Sequence, residues 1–286
     1  MNLKLRRGTR EDAGACGLID FEAFKSIASQ HNFPWDFPSV EVATAVVTSI
    51  LSNPGFYSVV AELDGRTVGS NFLDERNPIA GIGPISVDPA VQNQTIGRQL
   101  MLAVMERAME RRFAGTRLVQ SGYHNRSLCL YTKLGFETRE PLSKMDGPPI
   151  GKRIAGYDVR RATESDLKAC HELCVRVHGH DRDGELRDAL RAGTAQVVEH
   201  LGKITGYAGD IGLFSHAVGE TNQDIIALIA GASEFSSKGG LLVPTRNGEL
   251  FRWCLNNGLR LVYQMTLMTV GLYNEPAGAY LPSVLY

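Results

Sequence analysis

The chain has 286 residues, 43% of them hydrophobic and 21% charged, which fits folded rather than disordered protein and leaves room for two domains of ordinary size. A formal net charge of -1 leaves no basic bulk to hold nucleic acid by counterion release. The N-terminus, Met1-Asn2-Leu3-Lys4-Leu5-Arg6-Arg7, is too poor in apolar residues for a signal peptide, no window approaches the ~18 apolar residues of a membrane helix, and five scattered cysteines suit a reducing cytoplasm.

In chain order, a strand is predicted at about residues 3–7 and a helix at about 11–29, capped by Thr9 with Glu11 and Asp12 in its first turn. The turn-rich segment Asn32-Phe33-Pro34-Trp35-Asp36-Phe37-Pro38-Ser39 leads to a helix at about 40–52. Strands at 56–61 and 67–72 meet at Asp64-Gly65, a hairpin signal, and Gly81 to Val87 makes the next strand. That strand stops at Asp88-Pro89. A polar loop then opens an amphipathic helix carrying Ile96, Leu100, Val104 and Ala108. A strand at 117–120, a short helix ending at Gly135 and a strand from Phe136 complete the first half. Lys144 to Lys152 is rich in turn formers and reads as a linker.

The second half repeats the plan. Val159-Arg160-Arg161-Ala162-Thr163-Glu164-Ser165-Asp166 echoes Leu5-Arg6-Arg7-Gly8-Thr9-Arg10-Glu11-Asp12. A helix at about 164–177 is followed by strands near 196–200, 203–208 and 212–218. A helix at 222–234, a strand at 241–244, a helix at 247–257 and a final hairpin through 260–269 follow.

Two stretches carry chemistry. In Gln92-Asn93-Gln94-Thr95-Ile96-Gly97-Arg98 a loop opens a helix with no acidic residue between Pro89 and mid-helix, so its free N–H groups and dipole suit an anion such as a pyrophosphate. The second is Asn125-Arg126-Ser127-Leu128-Cys129-Leu130-Tyr131-Thr132-Lys133-Leu134-Gly135-Phe136. Together they resemble the GNAT family of acyl-CoA-dependent N-acetyltransferases. The first matches the Gln/Arg-x-x-Gly-x-Gly/Ala signature at Gln92 and Gly97, and the second matches Asn-(x)5-Tyr-x-x-x-Gly-Phe at Asn125, Tyr131, Gly135 and Phe136. Thr95 departs from the pattern where the family usually has its first glycine; its Cβ resists a positive φ and crowds a close backbone approach.

The resemblance implies an α+β, three-layer α/β/α fold with two tandem GNAT-like domains. Each would hold a mixed, mostly antiparallel twisted sheet with flanking helices and a parallel pair at the cofactor cleft. The expected division is a GNAT N-acetyltransferase domain over 1–146, a linker over 147–156, and a degenerate GNAT-like domain over 157–286 that is structural or walls the substrate cleft. The resemblance also implies acetyl-CoA as co-substrate and no metal. Ile85, Ser86 and Val87 would hold the pantetheine arm by backbone groups. Gln92, Asn93, Gln94, Thr95, Ile96, Gly97 and Arg98 would hold the pyrophosphate, and Asn125 would bind the arm again. Tyr131 is the candidate general acid near the sulfur; the competing reading is that it packs the short helix on the sheet.

A general base is not evident, because Gly81 to Val87 carries no carboxylate. Asp74 and Glu75 read as a solvated loop. His124 suits either helix capping or action through water, and His216 either faces the cleft or is a bystander. The terminal carboxylate of Tyr286 enters only because a tandem relative of the family uses its chain terminus so. Phe33, Trp35 and Phe37 read as an apolar lid over a substrate or as filler between helices, and Asp36 suits a cationic amine. In the second half, Glu220 and Asp224 would repel a pyrophosphate at the corresponding helix. Cys170, Cys174 and His178 lie one turn apart each, so the outer two are separated by ~12 Å, too far for one zinc ion. The expected function is acetyl transfer to a small-molecule amine by direct attack. The alternatives are a non-catalytic acyl-CoA-binding or sensing module and a structural partner of another enzyme. The sequence does not give the oligomeric state; an odd sheet edge at the domain junction is where a second copy could pair to make a homodimer.

Overall fold

The computed structural model describes residues 2–235 and 239–285; Tyr286 lies outside them. The first half opens with β1 (Leu3–Arg7), a 3-10 turn (Arg10–Asp12) and helix α1 (Ala13–Gln30). Helix α2 (Val40–Ser52) follows, its first turn capped by the Ser39 hydroxyl, which accepts from Val42 N–H. Strands β2 (Phe56–Leu63) and β3 (Arg66–Asp74) form the expected hairpin, with Asp64 and Gly65 both at positive φ. The expected strand at 81–87 is instead two short ones, β4 (Ile79–Ile82) and β5 (Ser86–Val87). Gly83 at φ 134° and Pro84, which has no N–H to donate, break the ladder between them. Helix α3 (Ile96–Glu110), strand β6 (Gly115–Ser121), helix α4 (Asn125–Lys133) and strand β7 (Glu137–Asp146) complete the half.

The second half runs β8 (Tyr157–Arg161), a 3-10 turn (Glu164–Asp166), α5 (Leu167–His178), α6 (Asp183–Ala192), β9 (Gln196–His200), β10 (Lys203–Ala208) and β11 (Ala217–Gly219). It ends with α7 (Asn222–Gly231), β12 (Leu241–Pro244), α8 (Gly248–Asn256), β13 (Arg260–Gly271) and β14 (Ala279–Leu281). The weak sequence repeat becomes a repeat of contacts. Arg6 bonds Asp12 and Glu62, and Arg160 bonds Asp166 and Glu199 in the same way. In each copy a threonine and that aspartate form a capping box.

Among the described residues the strands form a nine-stranded sheet, β1-β2-β3-β4-β6-β13-β7-β12 with β5 beside β3, and a five-stranded sheet, β14-β11-β10-β9-β8. The halves therefore exchange strands: β13 lies between β6 and β7, and β12 borders β7. This corrects the final hairpin expected at 260–269. β13 is one strand of 12 residues, paired along both flanks. At the junction β7 pairs with β12 and β13, and β6 with β13, inside the chain. Only β4 and β6 run parallel in these ladders; the five-stranded sheet is antiparallel throughout.

Helices cover both faces of the sheets. On one face of the large sheet, Ile96, Leu100, Met101 and Val104 of α3 pack on Val59, Ala61, Val68 and Leu73. On the other, Cys16, Val47 and Ile50 pack on Val60 and Phe72. Adjacent strand residues thus point to opposite cores, as the pleat requires. Helix α6, unexpected from the sequence, locks the halves together. Asp188 accepts from Arg76 at 2.9 Å and Asn53 at 3.0 Å, and Asn77 accepts from Gly184 N–H at 3.2 Å. A Cβ at Gly184 would lie 2.2 Å from the Arg76 carbonyl oxygen, so only glycine permits this approach. Among the described residues no helix is long and apolar enough to cross a membrane.

Candidate active site

The parallel pair β4/β6 holds only from Ile79–Gly81 against Gly115–Arg117. Beyond it the strands part: β5 swings to β3, while Leu118 to Ser121 keep a partner only in β13. The split opens a cleft of about 980 Å³, lined by Ile82–Val87 on one side and Leu118–Ser121 on the other. It lies at the C-terminal ends of the parallel strands, where α/β folds place ligands. Of the residues singled out from the sequence, Ile85, Ser86, Val87, Gln92, Asn93, Thr95, Ile96, Gly97, Arg98, Tyr131 and Asp36 line it; Gln94, Asn125, Phe33 and Trp35 do not.

One part of its lining is the N-terminus of α3, with no acidic residue in its first turn. The first-turn N–H groups lack intrahelical partners, so an anion here meets donors and a positive dipole end. Gln92 Nε2 donates to the Val87 carbonyl at 3.0 Å, tying the loop to the strand end, and Arg126 reaches Gln92 Oε1 at 3.2 Å. Arg98 and Arg126 are exposed here. Thr95 adopts φ 66°, ψ -4° despite its Cβ, so the backbone takes the left-handed turn that a glycine would take freely. That conformation costs a non-glycine residue about 1–2 kcal/mol. Thr95→Gly is accordingly expected to raise the unfolding free energy by about 0.5–1 kcal/mol once the added freedom of the unfolded chain is offset. The measurement is a shift in urea midpoint at constant slope. A lowered midpoint would show that the hydroxyl contact from Gln99 Nε2 to Thr95, 3.3 Å long, outweighs the strain.

Beside the N-terminus of α3 lies α4, whose Arg126 reaches Gln92 and whose Leu130 would lie 3.9 Å from a Cβ at Gly97. His124 caps it, its Nδ1 accepting from Ser127 N–H at 3.3 Å, and burial and Arg126 push its pKa down to about 4. The imidazole is therefore neutral, its Nδ1 engaged by the helix. Asn125 lies just inside the helix, is exposed and does not line the cleft; His124, Arg126 and Ser127 do. Tyr131 is buried, and desolvation pushes its pKa up to about 12 against a hydrogen bond with Ser127. It is a neutral phenol at any ordinary pH. Two further buried polar groups on the cleft wall were not singled out as side-chain donors or acceptors. Both polar atoms of the Gln120 amide lack a hydrogen-bond partner among the described residues, as does the Ser86 hydroxyl.

The aromatic segment divides. Phe37 is buried against Phe24 and lines the cleft. Phe33 stacks on Tyr123 at 4.5 Å, and Trp35 is exposed with its Nε1 donating to Ser29. Neither forms a lid over the cleft. Asp36 bonds the Tyr263 hydroxyl and, at 3.2 Å, Lys144 Nζ, while its Oδ2 is buried without a partner. Asp74 and Glu75 are not a solvated loop: Asp74 is buried against Arg76, and Glu75 pairs with Arg107 at 2.6 Å. His216 is buried, its Nε2 3.0 Å from His178 Nε2, and does not line the cleft.

In the second half the N-terminus of α7 is filled from within. Asp224 accepts from Thr221 N–H and hydroxyl, both at 2.8 Å, and from Thr205. A Cβ at Gly219 would meet the Asp224 side chain at 2.7 Å. Cys170 and Cys174 pack with Leu173 and Val177 in an apolar core, and burial pushes both thiols above their ordinary pKa. His171 points elsewhere, its Nδ1 3.1 Å from both Asp183 oxygens.

Residues 54–138 match the model of the acetyltransferase (GNAT) domain family. The chain carries a GNAT domain. The whole fold is similar to a Pyrococcus horikoshii protein to which acetyltransferase activity is ascribed, with TM-score 0.74, 19% identity, and 97% of this chain and 94% of that chain covered. It is also similar to a GCN5-related N-acetyltransferase from Sphaerobacter thermophilus, with TM-score 0.61, 14% identity and 96% of each chain covered. A tandem GNAT protein from the clavulanic acid biosynthesis pathway gives TM-score 0.58, 13% identity, and covers 94% of this chain and 98% of that chain. No curated protein matches the sequence significantly. These identities establish a shared tandem GNAT fold, and the family match places the GNAT domain around the cleft.

Proposed function

We propose that this GNAT protein transfers an acetyl group from acetyl-CoA to the amine of a small molecule, with the chemistry in the first half and the second half walling the acceptor side. The observation that carries this reading is one cleft lined by both an acid-free helix N-terminus and a buried neutral phenol. The fit to an acyl-CoA is chemical. The N–H groups of the loop through Gly97, with Arg98 and Arg126 nearby, suit a pyrophosphate, and the unpartnered Gln120 amide suits the amides of a pantetheine arm. The thioester supplies the electrophile. Tyr131 remains protonated and donates a hydrogen bond to the departing sulfur. With its pKa near 12, against about 8.5 for an ordinary thiol, full proton transfer is uphill, so the phenol stabilises the thiolate mainly as a donor. All five cysteines are free and four are buried, which fits direct attack by the amine rather than a covalent enzyme intermediate.

Calorimetric titration of acetyl-CoA tests the reading. One site per chain with micromolar affinity is expected. A Cβ at Gly97 would meet Val87 and Leu130 only at 3.7 and 3.9 Å, so Gly97→Glu leaves the backbone undisturbed and sets a carboxylate among the anion-binding N–H groups. It should weaken binding by on the order of 100-fold. Tyr131→Phe should bind normally and lose about 100-fold in turnover. Absence of binding by the wild type, or binding indifferent to Gly97→Glu, would overturn the site. The second reading, an acyl-CoA sensor without catalysis, is favoured by binding that survives Tyr131→Phe when no amine in a broad panel is acetylated.

A further inference from the structure

Asp20 of α1 has no solvent exposure, and neither carboxylate oxygen has a hydrogen-bond partner among the described residues. Ionising such a group is costly, and a sequence retains one only at a stability penalty. Its surroundings connect it to the cleft. Ala23 and Phe24 lie three and four residues further on, hence on the same face of α1, and both line the cleft, as does Ile27. Helix α1 packs directly on β5 and β3. Ser86 of β5 lines the cleft, and its unpartnered hydroxyl approaches Asp20 closely enough to oppose the effect of burial on the carboxyl. Ser86 thus belongs both to the cleft wall and to the immediate surroundings of the buried carboxyl. Neither β4 nor β5 carries an acidic residue of its own.

We propose that Asp20, acting through the Ser86 hydroxyl, takes up the proton that the acceptor ammonium must lose before it attacks the thioester. This rests on the acetyl-transfer reading above. The ammonium gives a proton to Ser86 Oγ as Ser86 passes its own to an Asp20 oxygen. The freed lone pair forms the N–C bond, the C–S bond breaks, and the second proton shed by nitrogen goes to sulfur. Asp20 then returns its proton through Ser86 to solvent, so one proton is released per turnover. Burial pushes the Asp20 pKa up to about 7, which matches a base that must accept and release a proton near neutrality. The groups around it leave that assignment undisturbed. Cys16 on the same helix stays a thiol with its pKa pushed up to about 12, and β3 faces the region with the Ser70 hydroxyl. The charged residue of the neighbouring α2, Glu41, is exposed, and the Pro89–Val91 turn carries no charge.

The test compares two nucleophiles at pH 7.5 on the intact protein with acetyl-CoA. n-Butylamine, with a pKa near the ~10.4 of a lysine, must be deprotonated; hydroxylamine is already neutral. Asp20→Asn should lower kcat/KM for n-butylamine by about 100-fold or more and abolish its rise through pH 7, while transfer to hydroxylamine stays close to wild type. Ser86→Ala should reproduce the pattern and Ser86→Thr, which keeps a hydroxyl, should restore transfer. Equal loss with both nucleophiles, or no loss with n-butylamine, overturns the relay. Wild-type protein that binds acetyl-CoA yet acetylates neither nucleophile overturns the transferase reading itself, and the relay with it. A readout without turnover is the carbon-13 titration of the aspartate carboxyls in the unliganded protein. The Asp20 midpoint should lie near 7 and rise in Ser86→Ala; a midpoint in the ordinary aspartate range, or one unmoved by the substitution, overturns the contact.

Discussion

A chain ending at Asp146 is expected to lack a cooperative fold and to aggregate. The loss is specific. Among the described residues β7 pairs only with β13 and β12, and both belong to the second half. Removing them strips β7 of its ladders and leaves β6 held by three residues of β4. Leu142, Ser143, Lys144 and Met145, all buried now, would face water on an open edge, the arrangement that invites edge-to-edge association. Gel filtration and thermal unfolding of the fragment check this. Aggregates or a broad transition are expected, and co-expression with residues 157–286 should restore a single cooperative transition. A soluble fragment with a sharp transition would mean that β7 can take the place of β13 beside β6, and that the exchange is dispensable.

The exchange also marks where sequence reading stops. The β2/β3 hairpin, α3 and α4 were legible because their signals are local: two left-handed turn residues, a helical apolar stripe, a cap. Pairing between residues such as Leu142 and Met265 has no local signature, and 260–269 resembles a hairpin because few strands run that long. The loop at Gln92 to Arg98 and the tyrosine of α4 could be found by motif, and the cleft lies where they point. Asn125 could not be placed, because a helix start presents neighbouring residues in different directions and His124 takes the inward one. Gln120 and Asp20 were invisible for another reason. An amide in a strand and an acid in an amphipathic helix ordinarily face water, and only the strand and helix packed over them show otherwise.

Replacing Asp20 by asparagine is expected to stabilise the protein increasingly as pH rises. The folded carboxyl has its pKa pushed up to about 7, above the unfolded value near 3.8. Below the unfolded value both states are protonated and burial of the charge imposes no penalty. Between the unfolded pKa and the folded one the unfolded chain ionises while the native carboxyl holds its proton, so stability falls across that interval and the penalty is complete above about pH 7. Its full size is about 4 kcal/mol as an upper bound, at 1.36 kcal/mol per pH unit. The asparagine amide brings its own burial cost, but that cost does not depend on pH. The telling quantity is therefore the difference between variant and wild type, measured by denaturant unfolding at pH 4 and pH 8. It should shift in favour of the variant by about 2–4 kcal/mol across that interval. A pH-independent difference would mean that Asp20 titrates normally.

Because β13 completes the sheet that β6 begins, the first half cannot close while it is being synthesised. Residue 271 emerges roughly 125 residues after the end of β7, on the order of 6–25 s at ordinary elongation speeds. Throughout that interval β6 and β7 wait on the ribosome with exposed apolar edges. Shielding by a holding chaperone, or a slow rate of initiation that keeps neighbouring nascent chains apart, would then govern how much active protein a cell obtains.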